Sequence, residues 1–296
     1  LHCYNASEHL LPLADHGFYF GIGGVVTFKN AKKLIEVIPK IPKEKFMTKK
    51  LTNFLDSDDA IFHYTKRETA MEYILNNKTL KFGLLKNTND PYEYKKKSII
   101  TCTVESEKEK DFKNNSIEDI IQNTLFLSFS TNLDDSNLIR KGYEKSRMWS
   151  QYGENHEGIC LVFSKESLLE IIKKELSENY IIYYEKINYE ITHLEPSIGE
   201  EPIEYIRNSY KNIFFQKHID YKDESEFRIV LVQKNEKNTY KDLFVDISNS
   251  LKLIILGDNF PKVYLPTIKN LSLKLNVEHK KLLWEDNQYY QVNPLA

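Results

Sequence analysis

The stretch MWSQYGENHEGICLVF, Met148–Phe163, decides how this chain is read. Met148–Tyr152 has the spacing of a short helix, a turn holding His156 follows, and Gly158–Phe163 is an apolar run suited to a buried strand. Working outward, Ala60–Thr65 reads as a strand and Glu68–Leu75 as a helix with apolar positions at Ala70, Met71, Ile74 and Leu75. Thr79–Phe82 is a second short strand, followed by the turn-rich NTNDPYE (Asn87–Glu93), where Pro91 holds Asp90 extended. Leu125–Phe129, Phe227–Gln233, Leu243–Ile247 and Leu253–Leu256 read as strands. Ser167–Leu176 and Glu201–Phe214 read as helices, and Pro261–Leu275 holds another. Several strands follow one another without an intervening helix. The expected class is therefore α+β, with a mixed, mainly antiparallel sheet core and flanking helices, and not a doubly wound fold.

Composition sets the outer limits. The 296 residues are 41% hydrophobic and 28% charged, ordinary values for a soluble globular protein. A net charge of −2 argues against a generally basic nucleic-acid-binding surface. Cys3, Cys102 and Cys160 are odd in number and widely spaced, which predicts reduced thiols in a cytoplasmic protein. No apolar run reaches the roughly 18 residues of a membrane span, so no membrane partner is expected. The lysine-rich stretches Lys95–Lys97 and Lys108–Lys113 read as solvated surface.

The text changes character near Met47. Four of the ten glycines fall in the first 24 residues, and Met47 opens a segment that reads like a fresh start. Residues 1–46 carry HCYN (His2–Asn5), GFYFGIGGVVTFKNAKKL (Gly17–Leu34) and IPKIP (Ile38–Pro42). This segment resembles the TatD-type metal-dependent deoxyribonucleases, and implies a helix–strand–helix fragment of a TIM-type barrel preceding the main domain. The family's metal-binding His falls on His2. A hydrolytic metal site needs several ligands held together. Where the family's ETD motif should follow, the sequence reads KEKFMTKKLTN. His2 is therefore expected to be a vestigial ligand position, no metal is expected, and residues 1–46 are expected to be non-catalytic. Residues 47–296 form the second expected domain.

Within it, HYT (His63–Thr65), NDPYE (Asn89–Glu93), FLSFST (Phe126–Thr131), Met148–Phe163 and ESEFRI (Glu224–Ile229) occur in order. Together they resemble a bacterial family catalogued as domain of unknown function 2971, across residues 58–260. That family places a Trp shortly before its ExE[FWY]R motif. Here the region reads HIDYKDESEFR, so either Tyr221 takes that role or the role is absent. The resemblance supplies no activity.

A second resemblance implies one. ADP-ribosyltransferases place a His or Arg on an early strand, a Ser/Thr-bearing strand in the middle, and a Glu, often in ExE, at the start of a late strand. The order here is His63, then Ser128 and Ser130, then Glu224 and Glu226. Breaking the nicotinamide–ribose bond of NAD creates an oxocarbenium-like cation, which a fixed carboxylate stabilises. By this resemblance Glu226 takes that role, Glu224 orients or deprotonates the acceptor, and His63 hydrogen-bonds the ribose. Tyr64 and Thr65, Ser128 and Ser130, Tyr152 and Arg228 are the expected NAD-contacting residues. A Tyr would stack on nicotinamide and Arg228 would meet phosphate. NAD would be a co-substrate, the acceptor an unidentified protein or nucleic acid, and the protein a toxin or phage-defence effector.

Each residue also has a plainer role. His63 suits a structural histidine, Ser128 and Ser130 a cross-strand pair, Trp149 and Tyr152 core packing, and Glu226 with Arg228 a surface ion pair. His156 is a loop candidate for a site. With 19 Tyr and 16 Phe and no decisive catalytic motif, the competing reading is a non-catalytic binding or regulatory module of a defence or mobile-element cassette. A metal-dependent nuclease is a third reading, for which most ligands are lacking.

Overall fold

A computed structural model of the chain describes residues 11–12, 32–37, 40, 49–88, 90, 93, 117–135, 138–190, 201–234, 242–284 and 290–294. The expectations for His2, for the helix–strand–helix at residues 1–46, for Asn89 and Pro91 and for both lysine runs lie outside the described residues or only graze them.

The fold is α+β, built on a mixed, mainly antiparallel sheet. Its strands are β1 (Ala60–Thr65), β2 (Thr79–Lys81), β3 (Gly83–Leu84), β4 (Leu125–Ser130), β5 (Leu133–Asp135), β6 (Leu138–Arg140), β7 (Ile159–Ser164), β8 (Tyr180–Lys186), β9 (Glu226–Gln233), β10 (Phe244–Asp246), β11 (Leu251–Leu256), β12 (Glu278–Trp284) and β13 (Tyr290–Pro294). The helices are α1 (Lys32–Val37), α2 (Lys49–Leu55), α3 (Ser146–Gln151), α4 (Lys165–Leu176), α5 (Pro202–Phe214) and α6 (Leu265–Leu275). The main sheet runs β13-β12-β11-β7-β1-β4-β9-β8, with β3 beside β4. β11 and β12 are its parallel pair, and α6 supplies the crossover that parallel neighbours require.

Buried apolar strands sit at the middle because helices cover both faces. Every residue of β7 is buried, and β9 is buried up to its last residue, the continuous pattern expected of two-sided cover. Ile61, Phe129, Leu161 and Ile229 face α4, α6 and the helical turn Thr69–Leu75. That turn is expected to be α-helical from its spacing and is wound as a π-helix instead. On the opposite face, Phe62, Tyr64 and Val162 pack with Leu55 and Trp149. On that same face Val230 and Val232 pack with Tyr205, Ile206, Ile213 and Phe214 of α5. Trp149 is fully buried and its indole N–H donates to the Tyr143 carbonyl at 2.8 Å, so its packing role holds.

Two features position the site. β1 pairs with β7 along its whole length but with β4 only at Phe62 and Ser130, so the sheet opens between β1 and β4. The turn after α3 is wedged shut: Glu154, Asn155 and His156 all have positive φ, and a Cβ on Gly257 would stand 2.0 Å from the His156 carbonyl oxygen. No described helix is long and apolar enough to cross a membrane.

Candidate functional site

The cavity of interest, about 200 Å³, opens where β1 and β4 part. Alternation on β4 and β9 puts Ser128, Ser130, Glu226 and Arg228 on one face, with Ser128 opposite Arg228 and Ser130 opposite Glu226. Glu224 reaches the same place by another route. It ends a 3-10 turn (Ile219–Glu224), and Ser225 then takes a left-handed conformation at φ 43°. The expectation that both glutamates share one side of an extended chain is therefore corrected in its path, though their carboxylates do meet.

They meet at a buried ion network. Lys217 Nζ lies 2.7 Å from Glu224 Oε2 and 3.3 Å from Glu226 Oε2. Arg228 donates from Nε to Glu226 Oε1 at 2.7 Å and from Nη2 to Glu226 Oε2 at 3.1 Å. Its Nη1 donates to the Phe214 carbonyl at the end of α5 at 2.9 Å, and Nη2 stands 2.5 Å from Glu93 Oε1. Tyr152 donates its hydroxyl to Glu224 Oε1 at 2.9 Å. Tyr221 does face this network: its ring lies 4.5 Å from Lys217 Nζ.

Three carboxyls (Glu93, Glu224, Glu226) thus face two cations (Lys217, Arg228), all at most 7% exposed in their side chains. The titration behaviour follows from that imbalance. Burial alone would raise Glu226, but Arg228 and Lys217 outweigh it and hold the carboxyl at about 2. Burial pushes Glu93 up; Arg228 opposes this and the charge of Glu226 adds to it. Lys217 is held well above the usual lysine range, because Glu226, Glu224 and Glu93 outweigh its burial. A carboxyl depressed in the folded state contributes stability that is present above its unfolded pKa and lost as pH falls through the folded one. For Glu226 that window runs from 4.5 down to about 2, while Glu93 acts with the opposite sign. Denaturant midpoints measured across this window should fall for the wild type, and the fall should be shallower for Glu226→Gln. Equal slopes would contradict the assignment.

Of the nine expected site residues, His63, Tyr64, Ser128, Ser130, Tyr152, Glu224, Glu226 and Arg228 line the cavity. Thr65 is buried opposite Ile159 and is absent from the lining. His63 belongs by register to the other face of the sheet, where its ring lies 5.7 Å from that of Phe129. It reaches the cavity through the gap between β1 and β4, donating from Nδ1 to the Ser128 carbonyl at 3.1 Å. Burial lowers the imidazole pKa, against the pull of that carbonyl, so the neutral ring presents Nε2 as an acceptor. Tyr64 commits its hydroxyl to the Gly142 carbonyl at 2.6 Å and lays its ring edge-on against Trp149. Arg228, expected to meet phosphate, is 1% exposed and engaged by Glu226 and Glu93. Its ion pair is buried and is not the surface pair of the plainer reading. His156 lies outside the cavity lining and stacks on Trp149.

Sequence reasoning misses Glu93, Lys217 and the aromatic wall of Phe62, Phe126 and Phe129. It gives no role to Thr88, whose buried hydroxyl also lines the cavity and has no hydrogen-bond partner among the described residues. Glu93 stands inside the quoted NDPYE motif; that placement is the one available signal.

A family model described as a protein of unknown function (DUF2971) matches residues 148–229, a shorter span than the motifs suggest. It takes in Met148, Tyr152, Lys217, Glu224, Glu226 and Arg228 of the cavity. A second, described as TatD related DNase, matches residues 1–49, a fragment. No curated protein and no solved structure matches the chain.

Proposed function

We propose that the cavity takes the nicotinamide–ribose end of NAD and that the protein transfers ADP-ribose from it. The observation that carries this reading is the convergence of His63, Ser128 and Glu226 on one cavity, in the strand order that ADP-ribosyl transfer uses. Two carboxylates, Glu224 and Glu226, stand beside an aromatic wall, a setting that suits a flat pyridinium cation. The same fixed charge would favour the oxocarbenium-like transition state. At about 200 Å³ the cavity is smaller than the roughly 300–1,000 Å³ of sites that enclose a whole ligand. It would hold one end of the dinucleotide.

The geometry supports the following roles. Glu226, held near 2, is too weak a base to take a proton near neutrality and acts as a fixed anion. Glu224, tied to Tyr152 and Lys217, faces the ribose hydroxyls. His63 Nε2 and the Thr88 hydroxyl offer hydrogen bonds to ribose or carboxamide. Arg228 holds the carboxylates in place. Label from NAD should pass into an acceptor when the protein is mixed with cell lysate, and deletion of residues 1–46 should leave transfer unchanged. If no label is transferred and NAD stays intact, the reading fails.

A binding module is the second reading, favoured by the neutralisation of Glu226 by Arg228 and Lys217. It predicts that NAD, or another small ligand, binds without release of nicotinamide.

A further inference from the structure

Lys145, in the loop before α3, is 1% exposed and has no carboxylate within 4.0 Å among the described residues. Its Nζ meets two neutral groups instead, the Ser130 hydroxyl at 2.8 Å and the Glu224 carbonyl at 2.8 Å. An ammonium carries three N–H donors and with two groups in reach leaves one over, whereas the amine can donate to the Glu224 carbonyl and keep its lone pair for the Ser130 hydroxyl. Ser130 lines the cavity, and its hydroxyl donates to the same carbonyl at 2.6 Å.

A purely structural account gives Lys145 the task of fastening the Glu224–Ser225 corner. That corner is already held: Thr131 donates to the Ser225 carbonyl from its amide at 2.9 Å and from its hydroxyl at 2.8 Å. A neutral side chain would add a further tie without the cost of burying an ionisable amine. Burial pushes Lys145 down to about 7, Arg140 adds to the fall, and Asp223 and Glu224 oppose it. Near neutrality a large share is the free amine.

We infer that Ser130 is a nucleophile and Lys145 its general base, and that the electrophile is the anomeric carbon of an N-linked ribose. The choice of electrophile rests on the proposed function; the nucleophile–base pair does not. In the step, the carbon–nitrogen bond breaks and its electron pair stays on the pyridinium nitrogen, which becomes neutral nicotinamide. The Ser130 oxygen bonds the anomeric carbon, and the hydroxyl proton turns from the Glu224 carbonyl and passes to Lys145 Nζ, 2.8 Å away. An acceptor hydroxyl or water then displaces Ser130, giving its own proton to the Glu224 carboxylate in the cavity as the Ser130 oxygen regains one from Lys145. This fills the base role that Glu226 cannot take.

An alkyl fluorophosphonate tests the pair on the full chain without NAD. Peptide mass mapping should place one adduct on Ser130, formed faster as pH rises through about 7, and Ser130→Ala should abolish it. Lys145→Met and Lys145→Arg should each react at least about 100-fold more slowly. Lys145→Arg, which keeps a cation and its donors, decides the matter if the Met variant loses its circular dichroism. An absent adduct, or an arginine variant as fast as wild type, overturns the pair. With NAD, ADP-ribose should be trapped on Ser130 on rapid acid quenching. Nicotinamide release with Ser130 unmarked under single-turnover conditions overturns the ribosyl assignment alone. Probe labelling without nicotinamide release overturns the proposed function and with it that assignment, and upholds the pair.

Discussion

Arg228→Ala should lower the unfolding free energy by roughly 3–5 kcal/mol, the cost of removing one partner from a buried ion pair. The guanidinium is 1% exposed and is shared among Glu226, Glu93 and the Phe214 carbonyl. Without it, three buried carboxyls face Lys217 alone, and a cavity is left under Phe126, whose ring lies 5.3 Å from the guanidinium carbon. Domains of this kind have only about 5–15 kcal/mol in total, so the variant should sit near the limit of folding. Guanidinium titration followed by tryptophan fluorescence measures the change. The triple variant Arg228→Met, Glu226→Gln, Glu93→Gln should recover part of the loss, because it removes the stranded charges along with their cation. A loss below about 1 kcal/mol, the scale of an exposed ion pair, would show that the network is open to solvent.

Glu226→Gln should cut ADP-ribosyl transfer by about 100–1,000-fold, the usual effect of deleting one fixed electrostatic partner of a developing charge. Glutamine keeps the shape and an acceptor oxygen but loses the anion that would face the ribosyl cation. Lys217 retains Glu224 at 2.7 Å and Arg228 retains Glu93, so the fold should survive the isosteric change. Affinity for NAD should fall far less than turnover, since the ground state carries no ribosyl cation. A proportional loss of binding and turnover would instead mark Glu226 as a ground-state contact.

The central strands are legible in the sequence because β1, β4, β7 and β9 are apolar runs covered on both sides. The outer strands are not. YIIYYEK in β8 is half exposed and partly charged, and EHKKLLW in β12 opens with four polar residues, so neither shows the continuous pattern of its buried neighbours. The π-wound turn Thr69–Leu75 has ordinary helical spacing, and its winding depends on what packs against it. In the site, the order His63, Ser128, Glu226 can be read directly, whereas the meeting of Glu224 with Glu226 depends on the left-handed Ser225, which no residue pattern announces. No sequence pattern singles out Lys145 or Lys217. Their burial arises from strands and turns far away in sequence. Glu93 has the clearest advance signal, a carboxylate in a motif already singled out, but its sharing of Arg228 with Glu226 appears only when β9 and the segment after β3 come together.

Release of free nicotinamide from NAD by the full chain, followed over time without an added acceptor, tests the central claim most directly. The account predicts release above the protein-free rate, dependent on native folding and nearly abolished in Glu226→Gln. NAD that remains intact with folded wild-type protein at saturating concentration would contradict it.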